Sequence, residues 1–250
     1  MIIDFLKGLV TKPKQYYTSW QTAEKACDSS YDDAAVLKTF TNAALAIGNG
    51  DGIYDRDGRV HRSFSENAHL VAALRHVTNT QGQFNVLDFG GALGSMYRQH
   101  RWSLDKFGDF TWCVVDQAPY VETGKRLFTS NKLKFEPTIP KAVASYQPNI
   151  ALMSNVLQRV EHPFAILNEL AASDIPYLFI DRTPIIRSVN NLITCGTLPA
   201  VSEKNTFPAW HFSEAAFKQA LQTKYRIINE FNTESKDTNV RHVGFFCEKI

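Results

Sequence analysis

The chain has 250 residues, of which 44% are hydrophobic and 21% charged, a composition that suits a folded core and excludes a disordered or fibrous protein. Lysine and arginine number 27 against 25 aspartate and glutamate, so the formal charge is +2, and no dense basic run calls for a nucleic-acid partner. Cys27, Cys113, Cys195 and Cys247 include no CxxC pair, so neither a zinc site nor a disulfide framework is expected, and reduced thiols suit a cytoplasmic protein.

Near the start, Ile2, Ile3, Phe5, Leu6, Leu9 and Val10 are apolar, but Asp4 and Lys7 interrupt them and no small-residue cleavage site follows. The stretch is too short to span a bilayer. Two readings stay open for it: an amphipathic helix docked on the protein's own surface, or one resting on a membrane surface with Lys12 and Lys14 behind it. Ala23–Ala26, Asp33–Ala46 and Phe64–Val77 then carry helical spacing, with the turn-forming Gly48-Asn-Gly-Asp-Gly52 between the last two. Residues 1–80 therefore read as a helical cap, and residues 81–250 as the core domain.

After Gly82 strands and helices alternate. Phe84–Phe89, Phe110–Val115, Leu133–Phe135, Asn149–Met153 and Tyr177–Ile180 read as strands, while Ser95–Lys106, Tyr120–Ser130 and Pro163–Ala172 read as helices. Such alternation predicts a doubly wound, mostly parallel α/β sheet with right-handed crossovers. Ser213–Thr223 reads as a helix with Ser213 as its N-cap. Tyr225–Phe231 and His242–Glu248 follow as an antiparallel pair, which gives a seven-stranded sheet with an antiparallel C-terminal edge.

The first strand runs into Val86-Leu-Asp-Phe-Gly-Gly-Ala-Leu-Gly94. Glycine permits a sharp turn there and lets a ligand approach without a Cβ in the way. The dinucleotide pattern G-x-G-x-x-G, started at Gly90, asks for glycine at positions 92 and 95, which hold Ala92 and Ser95. The alternative pattern is an acidic residue, a spacer, a glycine and a small-residue turn closing on glycine, which binds S-adenosylmethionine (SAM). Asp88, Gly90, Gly91 and Gly94 satisfy it, with Ala92 where glycine is commoner. Asp116 ends the second strand, where a carboxylate accepts from both ribose hydroxyls; Gln117 follows it. Ser154 and Asn155 follow the fourth strand and complete the expected cofactor-binding set.

The pieces Tyr54-Asp-Arg-Asp57, Leu87-Asp-Phe-Gly-Gly-Ala-Leu-Gly-Ser95, Trp112-Cys-Val-Val-Asp-Gln117, Val156-Leu-Gln158, Ile180-Asp-Arg-Thr-Pro184 and Phe207-Pro-Ala-Trp-His-Phe-Ser213 span most of the chain. Together they resemble a family of class I SAM-dependent methyltransferases encoded among bacterial surface-polysaccharide genes. That family commonly has glutamate at Asp116 and tyrosine at Arg159. The resemblance implies SAM as methyl donor and leaves the acceptor open.

For the acceptor, Asp181 at the end of the fifth strand is a candidate base, and Arg182 is suited to bidentate contact with a carboxylate or phosphate. The alternative is an internal Asp–Arg pair. His211 is a second candidate base, and Trp210 offers a flat pocket wall, both in an expected aromatic loop. Tyr54 and Arg56 belong to a polar segment suited to gripping hydroxyls. Setting Gly58 at position six of a calcium loop puts Ile53 and Phe64 where carboxylates are required, so no metal site is expected. The expected activity is methyl transfer to oxygen or nitrogen of a small molecule, a sugar or glycan precursor among them. The rivals are an NAD(P)-dependent oxidoreductase and a noncatalytic SAM-binding scaffold.

Overall fold

A computed structural model describes residues 15–28, 34–198, 202–233 and 240–250, so the amphipathic stretch expected before residue 15 lies outside the described residues. Helix α1 (Trp20–Ala26) is capped by Ser19, whose side chain accepts from the Thr22 amide; α2 (Ala34–Gly48) follows. A hairpin of β1 (Tyr54–Arg56) and β2 (Arg59–His61) then stands where no strand is expected. Its cause is Asp57-Gly58: both residues sit at positive φ, 49° and 76°, the geometry that the two-residue turn demands and Asp-Gly supplies. Helix α3 (Ala68–Gln81) starts at Ala68 rather than Phe64 because the Asn67 side chain caps it, accepting from the amides of His69 and Leu70.

The five expected parallel strands are β3 (Asn85–Phe89), β4 (Thr111–Val115), β5 (Leu133–Glu136), β6 (Ile150–Ser154) and β7 (Tyr177–Ile186). Helices α4 (Ser95–Leu104), α5 (Ala118–Leu127), α6 (Ile139–Tyr146) and α7 (Pro163–Ala172) connect them. Apolar spacing does not predict α6, yet its start signals are present: Thr138 accepts from the Lys141 amide, and Pro140 lies in the first turn. The chain closes with β8 (Leu192–Leu198), β9 (Ser202–Ser213), α8 (Glu214–Gln222), β10 (Tyr225–Thr233) and β11 (Arg241–Lys249). Ser213 caps α8 as expected, accepting from the Ala216 amide.

The main sheet has the order β10-β11-β7-β6-β3-β4-β5, with β11 antiparallel to both of its neighbours. It holds nine strands rather than seven, because the β8–β9 hairpin attaches where Ile185 and Ile186 pair with Phe212 and Ser213. The sheet is buried on both faces, as parallel sheets are. Leu87, Cys113, Met153 and Leu178 pack towards α6, α7 and α8, through residues such as Ile139, Leu167 and Phe217. Their strand neighbours Val86, Trp112, Leu152 and Phe179 pack towards α3 and α4, through Leu70, Leu74 and Leu104. Helix α3 thus shares a core with the sheet. Strand β3 lies between β4 and β6, so the chain reverses direction of winding beside β3, and a crevice opens at its carboxyl end.

Strand β7 extends six residues beyond the expected Ile180 because it passes through a bulge. Ile180 and Thr183 pair with Phe245 and Val243, so Asp181 and Arg182 together oppose Gly244. Cys113 and Cys247 are buried, whereas Cys27 and Cys195 bring their Sγ atoms to 2.8 Å across α1 and β8. Among the described residues, no helix is long and apolar enough to cross a membrane.

Candidate active site

Strand β3 delivers the chain into the turn Gly90–Gly94. Gly90, Ala92 and Gly94 all have positive φ, at 69°, 51° and 89°. Ala92 therefore occupies the left-handed region that glycine prefers, which accounts physically for its being the departure from the motif. The Gly90 amide donates to the Val115 carbonyl at 2.8 Å and fastens the turn to β4. A Cβ on Gly90 would meet Val156 Cγ2 at 2.2 Å, and one on Gly91 would meet Asp88 Oδ2 at 2.4 Å. The need for glycine at both positions thus comes from the protein's own side chains, not only from ligand space.

The turn borders a cleft of about 320 Å³, lined by Phe89, Gly90, Gly91, Asp116, Tyr120 and Val156 among others. Asp88 forms its floor, 1% exposed, and accepts from the Trp112 indole at 2.9 Å. Burial pushes the Asp88 carboxyl up to about 7, and the charge of Asp116 adds to the rise. Asp116 accepts from the Ala92 amide through Oδ2 and from the Gln117 amide through Oδ1, each at 2.8 Å. Its carboxylate therefore ties the glycine turn to the end of β4. Gln117, Ser154 and Asn155 also line this cleft; Gly94 instead begins α4, where a Cβ would meet Leu133 at 3.0 Å.

A second cavity of about 600 Å³ adjoins the first and shares Asp57, Met96, Arg159 and Arg182 with it. A polar network stands at this common wall. Arg182 donates to Asp57 at 2.9 Å through an Nη and to Ser154 Oγ at 3.2 Å through Nε. Asn155 donates to the other Asp57 oxygen at 3.2 Å. Asp57, Asn155 and Arg182 all have positive φ, at 49°, 58° and 55°. Three such non-glycine residues in one network are strained backbone concentrated at one place, as functional sites often show. Burial works to raise the Asp57 carboxyl, but Arg182, Arg159 and the Asn155 bond outweigh it and hold it below the usual range.

Asp181 lines the second cavity, 4% exposed, and accepts from the Arg182 amide at 2.9 Å, Asn67 at 3.1 Å and Ser154 at 3.3 Å. The internal Asp–Arg pair weighed for Arg182 therefore exists, but its carboxylate belongs to Asp57. Arg56 faces the second cavity. Tyr54 does not: it is 3% exposed and stacked on His61 at 4.6 Å, so it serves the interior. Nor do Trp210 and His211, which lie in β9 rather than a loop and line neither cavity. Trp210 stacks on Trp20 at 6.1 Å and donates to the Val160 carbonyl, while His211 Nε2 lies 3.0 Å from Thr194 Oγ1.

Two contributors escaped the sequence reading, and a third, Arg159, is named there only as a departure from the family pattern. Asn67 combines capping α3 with a bond to Asp181. Arg159 lines both cavities. The buried pair of Asp55 with Arg98, at 2.6 and 2.9 Å, holds the β1–β2 hairpin on α4, and Arg98 also donates to the Leu93 carbonyl of the glycine turn at 2.6 Å. Only the Asp57-Gly58 turn signal could have located the last, by placing Asp55 in a hairpin.

No family model and no curated relative matches the sequence. The fold is the Rossmann-like fold of class I methyltransferases. Among solved structures it is similar to the N-terminal domain of EvdMO1 in the presence of SAH and D-fucose, with a TM-score of 0.53 at 10% identity, over 87% of this chain and 100% of that one. The same domain with SAH bound gives 0.52 at 10% identity and the same coverage. A Burkholderia thailandensis 1,6-didemethyltoxoflavin-N1-methyltransferase gives 0.48 at 12% identity over 96% of this chain and 97% of that one. At such identities the likeness to the EvdMO1 domain is one of fold.

Proposed function

We propose that this protein is an enzyme that transfers the methyl group of SAM to an oxygen or nitrogen of a small hydroxylated acceptor, a sugar or glycan precursor. The observation that carries this reading is the junction of two cavities at Asp57, Met96, Arg159 and Arg182, beside the carboxyl ends of β3, β6 and β7. The first cavity fits the donor. It pairs apolar walls at Phe89, Tyr120 and Val156 with a carboxylate at Asp116 and backbone freed of Cβ atoms at Gly90 and Gly91. Asp116 would accept from the ribose hydroxyls, and Gln117, Ser154 and Asn155 would complete the polar rim. SAM, when bound, supplies an electrophilic methyl carbon on a sulfonium.

The chain's own task is then alignment and exclusion of water. Asp181 would take the proton of an acceptor hydroxyl, held in place by Asn67, Ser154 and the Arg182 amide. That the EvdMO1 domain was solved with SAH and D-fucose supports a sugar-like acceptor here. Calorimetric titration with SAM, SAH and NAD(P), then mass spectrometry of methyl transfer to sugars and sugar nucleotides, tests the reading. Binding of SAH with no affinity for NAD(P) is expected; the reverse pattern overturns it.

A further inference from the structure

Arg56 lines the second cavity and not the first. Its Nε is buried and has no hydrogen-bond partner among the described residues. The guanidinium lies 5.4 Å from the centre of the Tyr54 ring, which leaves its hydrogens without an acceptor there. The carboxylates around it are engaged elsewhere: Asp55 with Arg98, Asp57 with Arg182 and Asn155, Asp181 with Asn67, Ser154 and the Arg182 amide. Glu66, in the same cavity, gives one oxygen to Ser103; its other oxygen is buried without a partner among the described residues.

The other cations nearby worsen the position of Arg56. Burial lowers its pKa, and repulsion from Arg182 lowers it further. His61, also on this cavity, is lowered first by burial and then by Arg56. Arg59, His69 and Arg159 are further basic side chains on this wall. Withdrawing a cation from water is costly, and crowded cations raise the cost, which the charges of Asp57 and Asp181 offset only in part. An entering anion would offset that cost. Arg182 cannot take that part without giving up Asp57 and Ser154, and Arg159 holds the Asn155 carbonyl through its Nε.

We propose that the methyl acceptor carries an anionic group, phosphate or carboxylate, which Arg56 binds deep in the second cavity while the atom to be methylated rests at the wall shared with the first. This rests on the methyl-transfer reading for the second half of the statement only; the anion site stands on the cavity itself. The planar guanidinium fork suits both oxyanions. Glu66 lines the same cavity, and its unpartnered oxygen would accept from a ligand hydroxyl, which fits a hydroxylated acid such as a sugar phosphate or a uronate.

Calorimetry on the full chain with glucose 1-phosphate, glucuronate, inorganic phosphate and neutral glucose tests this. An anionic sugar is expected to bind at least about tenfold tighter than glucose, and Arg56→Gln to remove about 10- to 100-fold of that affinity. Arg56→Lys should keep part of it. Whichever anionic sugar binds tighter identifies phosphate or carboxylate. The proposal is overturned if glucose binds as well as both, if no anionic probe binds the wild-type chain, or if a folded Arg56→Gln protein binds them unchanged. SAH titrated in parallel separates the two readings: absent SAH binding ends the donor assignment and leaves the anion result standing, and the converse pattern ends the anion site alone.

Discussion

Replacing Arg98 with methionine should be among the most damaging single changes outside the cleft. Arg98 is 9% exposed and Asp55 2%, and the two share bonds of 2.6 and 2.9 Å. Arg98→Met leaves Asp55 buried without its counter-charge and the Leu93 carbonyl without its donor. Breaking one side of a buried pair costs about 3–5 kcal/mol. At roughly 2–4 °C per kcal/mol for a chain of this size, the melting midpoint should fall by about 6–20 °C. The double variant Asp55→Leu with Arg98→Met removes the orphaned charge and should recover most of that loss, since apolar replacement of buried pairs is often neutral or stabilising. Recovery of stability need not restore the site, because the hairpin carrying Arg56 and Asp57 has lost its tie to the glycine turn. SAH affinity should therefore stay reduced in the double variant. Urea unfolding and SAH calorimetry on the three proteins check this. A loss below about 1 kcal/mol in the single variant, or a double variant no more stable than the single, would refute the reasoning.

Four further outcomes are expected. Asp116→Ala should weaken SAH binding about 10- to 100-fold in a folded protein, since hydrogen bonds to a charged group contribute roughly 1.5–3 kcal/mol; unchanged calorimetric affinity removes Asp116 from the donor site. Gly90→Val should abolish SAH binding and also lower stability, because its Cβ collides with Val156; a normally stable, normally binding variant contradicts the turn geometry. Asp88, raised to about 7 by burial, makes the native state hold a proton that the unfolded chain releases near 3.8, so stability should fall as pH rises across that interval. Urea titrations at pH 5 and pH 8 should show this slope in the wild type and less of it in Asp88→Asn. Asp181→Asn should spare SAH binding and reduce kcat by about 10²–10⁴-fold on the true acceptor; full activity would eliminate it as the base.

The sheet was legible because its strands are buried on both faces and therefore read as unbroken apolar runs between turns. The glycine turn was legible for a similar reason: three left-handed positions within five residues leave few side chains that fit. What stayed hidden depends on partners distant in sequence. Trp210 and His211 look like an exposed aromatic loop, yet β9 exists because β8 and the end of β7 pair with it. Nothing local to Asp57 reveals that its partners are Asn155 and Arg182. The β1–β2 hairpin was hidden differently. Its Asp57-Gly58 signal is local, but three-residue strands are too short for an alternating pattern to show.

The bulge in β7 changes what a single strand can present. Before it, even-numbered Leu178 and Ile180 face the α7–α8 side; beyond it, odd-numbered Ile185 does. One surplus residue has reversed the phase of the strand, so both halves still bury apolar side chains on the same face. At the reversal, two consecutive residues escape the rule that neighbours point to opposite sides: Asp181 and Arg182 both border the second cavity. A carboxylate and a guanidinium are thereby delivered side by side from the middle of a sheet, on hydrogen-bonded backbone instead of a loop. Removing one residue between Ile180 and Thr183 would restore ordinary alternation, keep Ile185 opposite Arg241 on its core face, and leave the cavity with one of these charges in place of two.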